Sequence, residues 1–305
     1  MKKETLNKLL NLYNLTTQKI PSNKIDVSEF FQYLENEVFI GTTSKLYEQF
    51  KELHHHDFYE ILYIKSGEFK FRVDNKIYNI YPGDMILISP STLHVLENMS
   101  TSNCERIVIN FTENYLDDIS SEYSNMKLLF DYIDETKNYC ISFKNDLKRK
   151  IESYIQILLD SQFSDSFGSD LVFNCRFTQL LLLAYQTIID FEPAEIIYEN
   201  QLVAKTMEFI QSNISKTFLI EDIAKNANVS ASTISHTFKD ITGISIYRYI
   251  TKKRMILAKQ LIKKQYTFNE IYSICGFNDY TSFFRAFKRE YGITPKEFQR
   301  KYTKN

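Results

Sequence analysis

Close to its C-terminus the chain writes one short phrase twice, Phe238-Lys239-x-x-x-Gly243-Ile244-Ser245 and Phe287-Lys288-x-x-x-Gly292-Ile293-Thr294. Each copy closes a segment patterned as two short helices. Ile223-Ala224 aligns with Ile271-Tyr272, and Val229-Ser230 with Phe277-Asn278, at an offset of 48 residues; the two phrases themselves are 49 apart. A repeat of this period with two helices per copy is a supersecondary unit used twice. Two copies are too few for a solenoid, and two helix-turn-helix units in one domain point to DNA.

Charge supports that reading once it is divided along the chain. The net charge over 305 residues is −1. Residues 199–305 carry 18 Lys and Arg against 9 Asp and Glu, whereas residues 1–198 carry 19 against 29. A basic C-terminal part behind an acidic N-terminal part predicts that only the former meets phosphate. The alternative is that these charges are solvated helix faces. Four scattered cysteines, Cys104, Cys140, Cys175 and Cys275, have no C-x-x-C pairing, so neither a disulfide framework nor a thiolate metal site is expected. No run approaches the roughly 18 apolar residues of a membrane span, and the start of the chain does not read as a leader. A cytoplasmic location follows as an expectation.

From Asn200 an amphipathic helix is expected to about Ser212, with Leu202, Val203, Met207, Phe209 and Ile210 on its apolar face. Ile220, Ile223, Ala224 and Ala227 make one stripe of the next helix. Ser230 suits the N-cap of the third, and Gly243 suits its end. Ile234, Phe238 and Ile241 then point inward and Ala231, Ser232, Ser235, His236 and Lys239 outward. In the second unit Phe268, Ile271 and Ile274 build the supporting helix, and Gly276-Phe277 form the turn. Asn278 or Asp279 is the cap, Phe283, Phe284 and Phe287 face the core, and Tyr280, Thr281, Arg285 and Lys288 face out. Residues 246–263 form one uninterrupted helical pattern, a strut of roughly 27 Å. Recognition helices held roughly 34 Å apart enter successive major grooves.

The run from Gly276 to Pro295, Gly-Phe-Asn-Asp-Tyr-Thr-Ser-Phe-Phe-Arg-Ala-Phe-Lys-Arg-Glu-Tyr-Gly-Ile-Thr-Pro, resembles the signature of AraC/XylS-type transcriptional regulators. Arg254-Met255, Ala258 and Leu261 extend the match into the linker helix. Tyr272 departs from it, standing where the family usually has alanine. The resemblance maps base contacts to Ser232, Ser235 and His236 in the first unit and to Tyr280, Thr281 and Arg285 in the second. Of these, only Arg285 can make the bidentate contact to guanine. Lys239 and Lys288 are placed on the phosphate backbone.

Upstream the pattern changes to strands, at 58–65, 69–73, 76–80 and 85–88, linked by Ser66-Gly67, Asp74-Asn75 and Tyr81-Pro82-Gly83-Asp84. Pro82-Gly83 fits the central pair of a type II turn, and the spacing suggests a small antiparallel barrel or jelly roll. Within it His54-x-His56-x-x-x-Glu60, with His94 later, resembles the cupin pattern, in which three His and one Glu hold a metal. On one strand His54, His56 and Glu60 would share a face, with His94 opposite. The second half departs, lacking the glycine usual between Pro90 and His94. Three readings stay open for this cluster: hydrogen-bonded residues of the barrel mouth, a metal-free pocket for a sugar or other small polar ligand, or a metal site. No cofactor is assigned. Residues 144–162 and 167–189 return to helix, with Ile151, Tyr154, Ile155, Leu158 and Leu159 in a stripe and 180–184 apolar all round. By resemblance such helices pair two copies across a two-fold axis.

The expected fold is α+β. Residues 1–40 form an N-terminal extension in which Leu6, Leu9, Leu10 and Tyr13 hint at a helix, 41–125 the cupin-like sensor barrel, 126–198 a helical dimerisation and linker region, and 199–305 the double helix-turn-helix domain. The function this implies is a regulator, by family habit an activator, that binds double-stranded promoter DNA as a homodimer, works with RNA polymerase and responds to a small-molecule effector. The competing reading is a metal-dependent cupin enzyme, such as a dioxygenase or isomerase, with an accessory DNA-binding domain. A regulator whose sensor no longer binds anything is a third.

Overall fold

A computed structural model describes residues 38–43, 52–73, 76–99, 104–162, 164–190 and 200–302. The hinted helix around Leu6 to Tyr13 and the Asp74-Asn75 turn lie outside the described residues. The chain divides into two compact units, residues 1–197 and 198–305. No described helix is long and apolar enough to cross a membrane.

Among the described residues the first unit has eight strands: β1 Val38–Thr43, β2 Tyr59–Ser66, β3 Phe69–Val73, β4 Lys76–Ile80, β5 Asp84–Ile88, β6 His94–Asn98, β7 Glu105–Phe111 and β8 Cys140–Ser142. They do not close into the expected barrel. They form two antiparallel sheets, a larger one in the order β1-β7-β2-β5-β8 and a smaller one in the order β4-β3-β6. The reason is local: two of the tight connections are corners, not hairpins. Gly67, with φ of 91°, carries the chain from β2 in the larger sheet to β3 in the smaller. Gly83, with φ of 103°, carries it back from β4 to β5, and Asp84 N–H donates to the Tyr81 carbonyl across that turn at 3.0 Å. Both conformations are ones glycine adopts without steric penalty.

The larger sheet is covered on both faces. Toward the smaller sheet it presents Glu60, Leu62 and Ile64; the opposite face, with Tyr59, Ile61 and Tyr63, meets helices. These are α1 Glu113–Asp118, α2 Lys127–Thr136, α3 Asn145–Ser161 and α4 Ser169–Asp190. The Tyr59 ring packs 4.6 Å from Phe130 of α2, Phe111 packs 5.0 Å from Phe177 of α4, and the Tyr63 hydroxyl donates to Glu152 of α3 at 2.9 Å. Double coverage explains why β5 is buried at every position and reads as a run without alternation. Each such aromatic contributes roughly 1.5–3 kcal/mol through its burial.

The second unit is helical: α5 Gln201–Asn213, α6 Ile220–Asn226, α7 Ala231–Thr242, α8 Ile246–Lys263, α9 Phe268–Ile274, α10 Tyr280–Tyr291 and α11 Pro295–Tyr302. α6 with α7 and α9 with α10 are the two repeated units, and α8 is the linker. The caps account for the change of offset from 48 to 49. Ser230 accepts from Thr233 N–H at 3.0 Å, and the equivalent cap is Asp279, which accepts from Ser282 N–H at 2.8 Å. Asn278 is therefore the one extra residue of the second turn. Both recognition helices end on a left-handed glycine, Gly243 at φ 76° and Gly292 at φ 70°.

Candidate functional site

On α7, Ser232, His236 and Lys239 are exposed, while Ser235 is half-buried and its hydroxyl donates to the Ala231 carbonyl at 2.7 Å. That bond leaves Ser235 as an acceptor toward any partner. The His236 ring contacts Asp240 at 3.2 Å on the same open face. On α10, Thr281, Arg285 and Lys288 are exposed. Tyr280 is only 38 % exposed, and its ring lies 6.0–6.5 Å from those of Phe268, Tyr272, Phe283 and Phe284. It anchors the start of α10 at least as much as it faces outward. Tyr272 does not enter the core between α9 and α10, which Ile271 fills; it stays half-buried, edge-on to Tyr280.

In the first unit the structure brings together three of the four residues singled out by spacing. β2 begins at Tyr59, after a bend at Asp57 and Phe58, so His54 and His56 precede it and do not share a strand face with Glu60. The backbone of His54 exchanges two hydrogen bonds with His94, at 3.0 and 2.9 Å, and its ring lies 4.4 Å from the His94 ring, with Nδ1 3.3 Å from the Glu52 carbonyl oxygen. His56 Nδ1 donates to the Phe58 carbonyl at 2.8 Å, and His94 Nδ1 donates to the Thr92 carbonyl at 2.8 Å. A ring nitrogen this close to a carbonyl must carry hydrogen, so these neighbours assign the tautomers. Both Nε2 atoms then face Glu60 Oε2, at 3.3 and 3.4 Å. The three ligand atoms lie within 4.8 Å of one another.

Burial holds the His56 pKa below its ordinary value, against the pull of its hydrogen bond to Glu60 and of the Glu60 charge. Burial and then the neighbouring imidazoles hold His54 well below its ordinary value. Burial alone would raise Glu60; its contacts with His56 and His94 outweigh that and keep it well below the usual carboxylate range. Asn110 joins this group. It lies directly across from Glu60 in the β2–β7 register, it is 7 % exposed, and its Oδ1 accepts no hydrogen bond from the described residues. The spacing of the histidines gives no hint of Asn110, because its relation to Glu60 depends on pairing strands 50 residues apart. The site thus gathers two imidazoles, a carboxylate and an amide oxygen. Two imidazole nitrogens and a carboxylate, with the second ring nitrogens anchored on backbone carbonyls, also form a donor set that suits a divalent transition metal. His56, Glu60 and His94 would hold it, as a positive charge that polarises a bound ligand.

The glycine missing before His94 has a backbone substitute. Ser91 takes φ of 68°, the left-handed conformation, and its N–H donates to the His56 carbonyl at 2.7 Å. That bond ties the loop ahead of β6 to His56.

Two capped helices with open polar faces, each backed by its own short helix, together with a buried histidine–carboxylate site between two sheets, define a DNA-binding protein with a separate ligand-binding β domain. Residues 38–138 match the AraC-like ligand binding domain, and residues 223–301 match the corresponding helix-turn-helix domain. With both halves in this order, the chain belongs to the AraC family of transcriptional regulators. It is similar to the HTH-type transcriptional activator RhaS of Mannheimia succiniciproducens, at 26 % identity over 253 residues, covering 81 % of this chain and 88 % of that protein. It is also similar to the activator RhaR of Pectobacterium carotovorum, at 23 % identity, covering 82 % and 86 %. Among solved structures, ToxT from Vibrio cholerae aligns at 16 % identity over 86 % of this chain and 96 % of that one, with a TM-score of 0.34. The chain is thus a ligand-responsive regulator that binds DNA, and the reading as a metal-dependent enzyme gives way.

Proposed function

We propose that the protein activates transcription in the cytoplasm as a homodimer, when a small effector occupies the site between the sheets. The observation that carries the effector assignment is the convergence of two imidazoles on one buried carboxylate. The buried Glu60 carboxylate and Asn110 Oδ1 bring lone pairs, and His56 Nε2 and His94 Nε2 meet the same carboxylate oxygen, a grouping that favours a ligand supplying hydrogens or positive charge over an anionic one. The hydroxyls of a sugar and a divalent cation share that property. Effector binding shifts the population of DNA-competent arrangements by its differential affinity for them. The cupin-like jelly roll supplies the rigid frame, and the four units follow the boundaries 1–40, 41–125, 126–198 and 199–305.

Full-length protein is melted with neutral monosaccharides in one arm and with Zn²⁺, Mn²⁺, Ni²⁺ or Fe²⁺ in the other, for wild type and Glu60→Gln. Stabilisation by one arm is expected, about 2.7 kcal/mol at a hundredfold excess over Kd, and its disappearance in Glu60→Gln. Metal analysis of the purified protein and melting after chelation separate the arms. Stabilisation by carboxylates or phosphates alone, or equal stabilisation of both proteins, refutes the assignment.

On DNA, Arg285 reads a guanine and Lys239 and Lys288 hold phosphate, with Ser232, Ser235, His236, Tyr280 and Thr281 as weaker readers. Arg285→Ala is expected to relax specificity at one base pair, at about 1–3 kcal/mol, and Lys288→Ala to weaken all sequences alike and reduce the salt slope by about 1. Equal losses on selected and scrambled DNA for Arg285→Ala remove its role. Dimerisation uses the outer stripe of α4, where Leu171, Leu182 and Ile189 are exposed at heptad-like spacing with Cys175. Transcription then proceeds through contact with RNA polymerase.

A further inference from the structure

We infer that Arg254 is a positioning residue that locks the two helix-turn-helix units into one reading head. It lies midway along α8, and its guanidinium reaches both units. Toward the first, Nε donates to the Ile214 carbonyl at 3.2 Å and Nη2 to the Lys216 carbonyl at 2.7 Å. Ile214 is the C-cap of α5, where carbonyls without helical partners favour a cation. The Phe218 ring, in the same segment, lies 5.7 Å from the guanidinium carbon. On the other side the Phe277 ring, in the turn before α10, lies 5.6 Å away. The cation therefore lies within cation–π range of one ring from each unit.

The packing continues outward from both rings. Phe218 meets Phe209 of α5 edge-on at 5.5 Å, and Phe277 meets Phe283, on the buried face of α10, edge-on at 5.8 Å. A continuous row thus runs from α5 through Arg254 to the second recognition helix. Gly276 is shaped to it. A Cβ there would lie 2.7 Å from Arg254 Nη2 and 3.0 Å from the Ile214 carbonyl oxygen, and φ is 71°. Thr217 and Asn278 touch beside it at 3.3 Å. Asn278 is the extra residue of the second turn, so the insertion that breaks the repeat lies at this junction. The turn that aims α10 is seated on the first unit with Arg254 as the key. Because the two units bind as linked modules, loss of a fixed geometry lowers affinity for DNA that engages both and spares DNA that engages one.

The test uses the full-length chain with Cys175→Ser. Spin labels at Ser232→Cys and Thr281→Cys report the distance between the recognition helices without DNA. Wild type should give one narrow distribution, and Arg254→Ala and Gly276→Ala broad ones. Arg254→Lys keeps the charge but cannot donate to both carbonyls while meeting both rings, and should fall between. A duplex selected by wild type from a random pool, and its two halves, provide the second readout. Arg254→Ala should lose about tenfold or more on the whole duplex and little on the halves. Narrow, unchanged distributions in folded Arg254→Lys and Gly276→Ala overturn the inference, as does a proportional loss on the whole duplex and on both halves. The label measurement stands or falls independently of which bases are read.

Discussion

Lys259 offers a test of the energetics inside the DNA-binding unit. Its side chain is 4 % exposed on α8, with the ammonium 5.5 Å from the Tyr291 ring and 5.6 Å from the Phe298 ring, where α8 meets the end of α10 and α11. Burial, with a smaller contribution from Lys263, pushes its pKa down from 10.5 to about 7. A lysine in the unfolded chain stays protonated to about pH 10.4. Between these values the unfolded state binds more protons, so stability rises with pH from about 7 to about 10 and the full penalty is present below 7. At 1.36 kcal/mol per pKa unit the penalty is roughly 3–5 kcal/mol. The cation–π contacts, worth about 0.5–2 kcal/mol, offset only part of the desolvation. Lys259→Met keeps the length and apolar stem and removes the charge. Hydrogen exchange of α8 and α11 amides in the full chain gives the local opening free energy. For wild type it should rise by about 3 kcal/mol between pH 6.5 and 9.5; for Lys259→Met it should be flat and already higher at pH 6.5. A variant less protected than wild type at pH 6.5 would show that the contacts of the ammonium compensate the buried charge, and the reasoning would fail.

Lys252 and Glu290 join α8 to α10 at 2.7 Å with both side chains largely buried. Glu290→Gln should cost about 3 kcal/mol in denaturant unfolding of the second unit, and the double variant with Lys252→Met less than the single one; a loss under 1 kcal/mol would place the pair with surface bridges. Ser91→Gly relieves a left-handed serine and should stabilise the first unit by about 0.5–1 kcal/mol in thermal melts, with the site intact; destabilisation would mean that the serine side chain has a role of its own.

The helix-turn-helix units were legible because their signals are local. Ser230, Gly243, Asp279 and Gly292 act within one turn of themselves, and the 3.6-residue period marks Ile223, Phe238 and Phe287 as core whatever lies across from them. The β unit was only half legible. The strands β2 to β5 follow from short apolar segments bounded by turn residues, but β1, β6, β7 and β8 gain their meaning from partners far along the chain. β7 joins β1 to β2 in the larger sheet. Closure into a barrel failed as an expectation because Gly67 and Gly83 look alike in sequence whether they make hairpins or corners.

What the sequence determined by itself is a duplicated DNA-reading module on a long helix, with its caps, stops and exposed faces, since each depends on neighbours within a few residues. The tertiary structure decided what depends on distance in the chain. It left His54 out of the set of converging ligand atoms from His56, Glu60 and His94, added Asn110 across the β2–β7 register, and turned Arg254 from one basic residue of a helix into a contact shared by Phe218 and Phe277. Local geometry is encoded residue by residue. The convergence of side chains 40 or 50 positions apart exists only once the chain has paid the entropy of folding and packed.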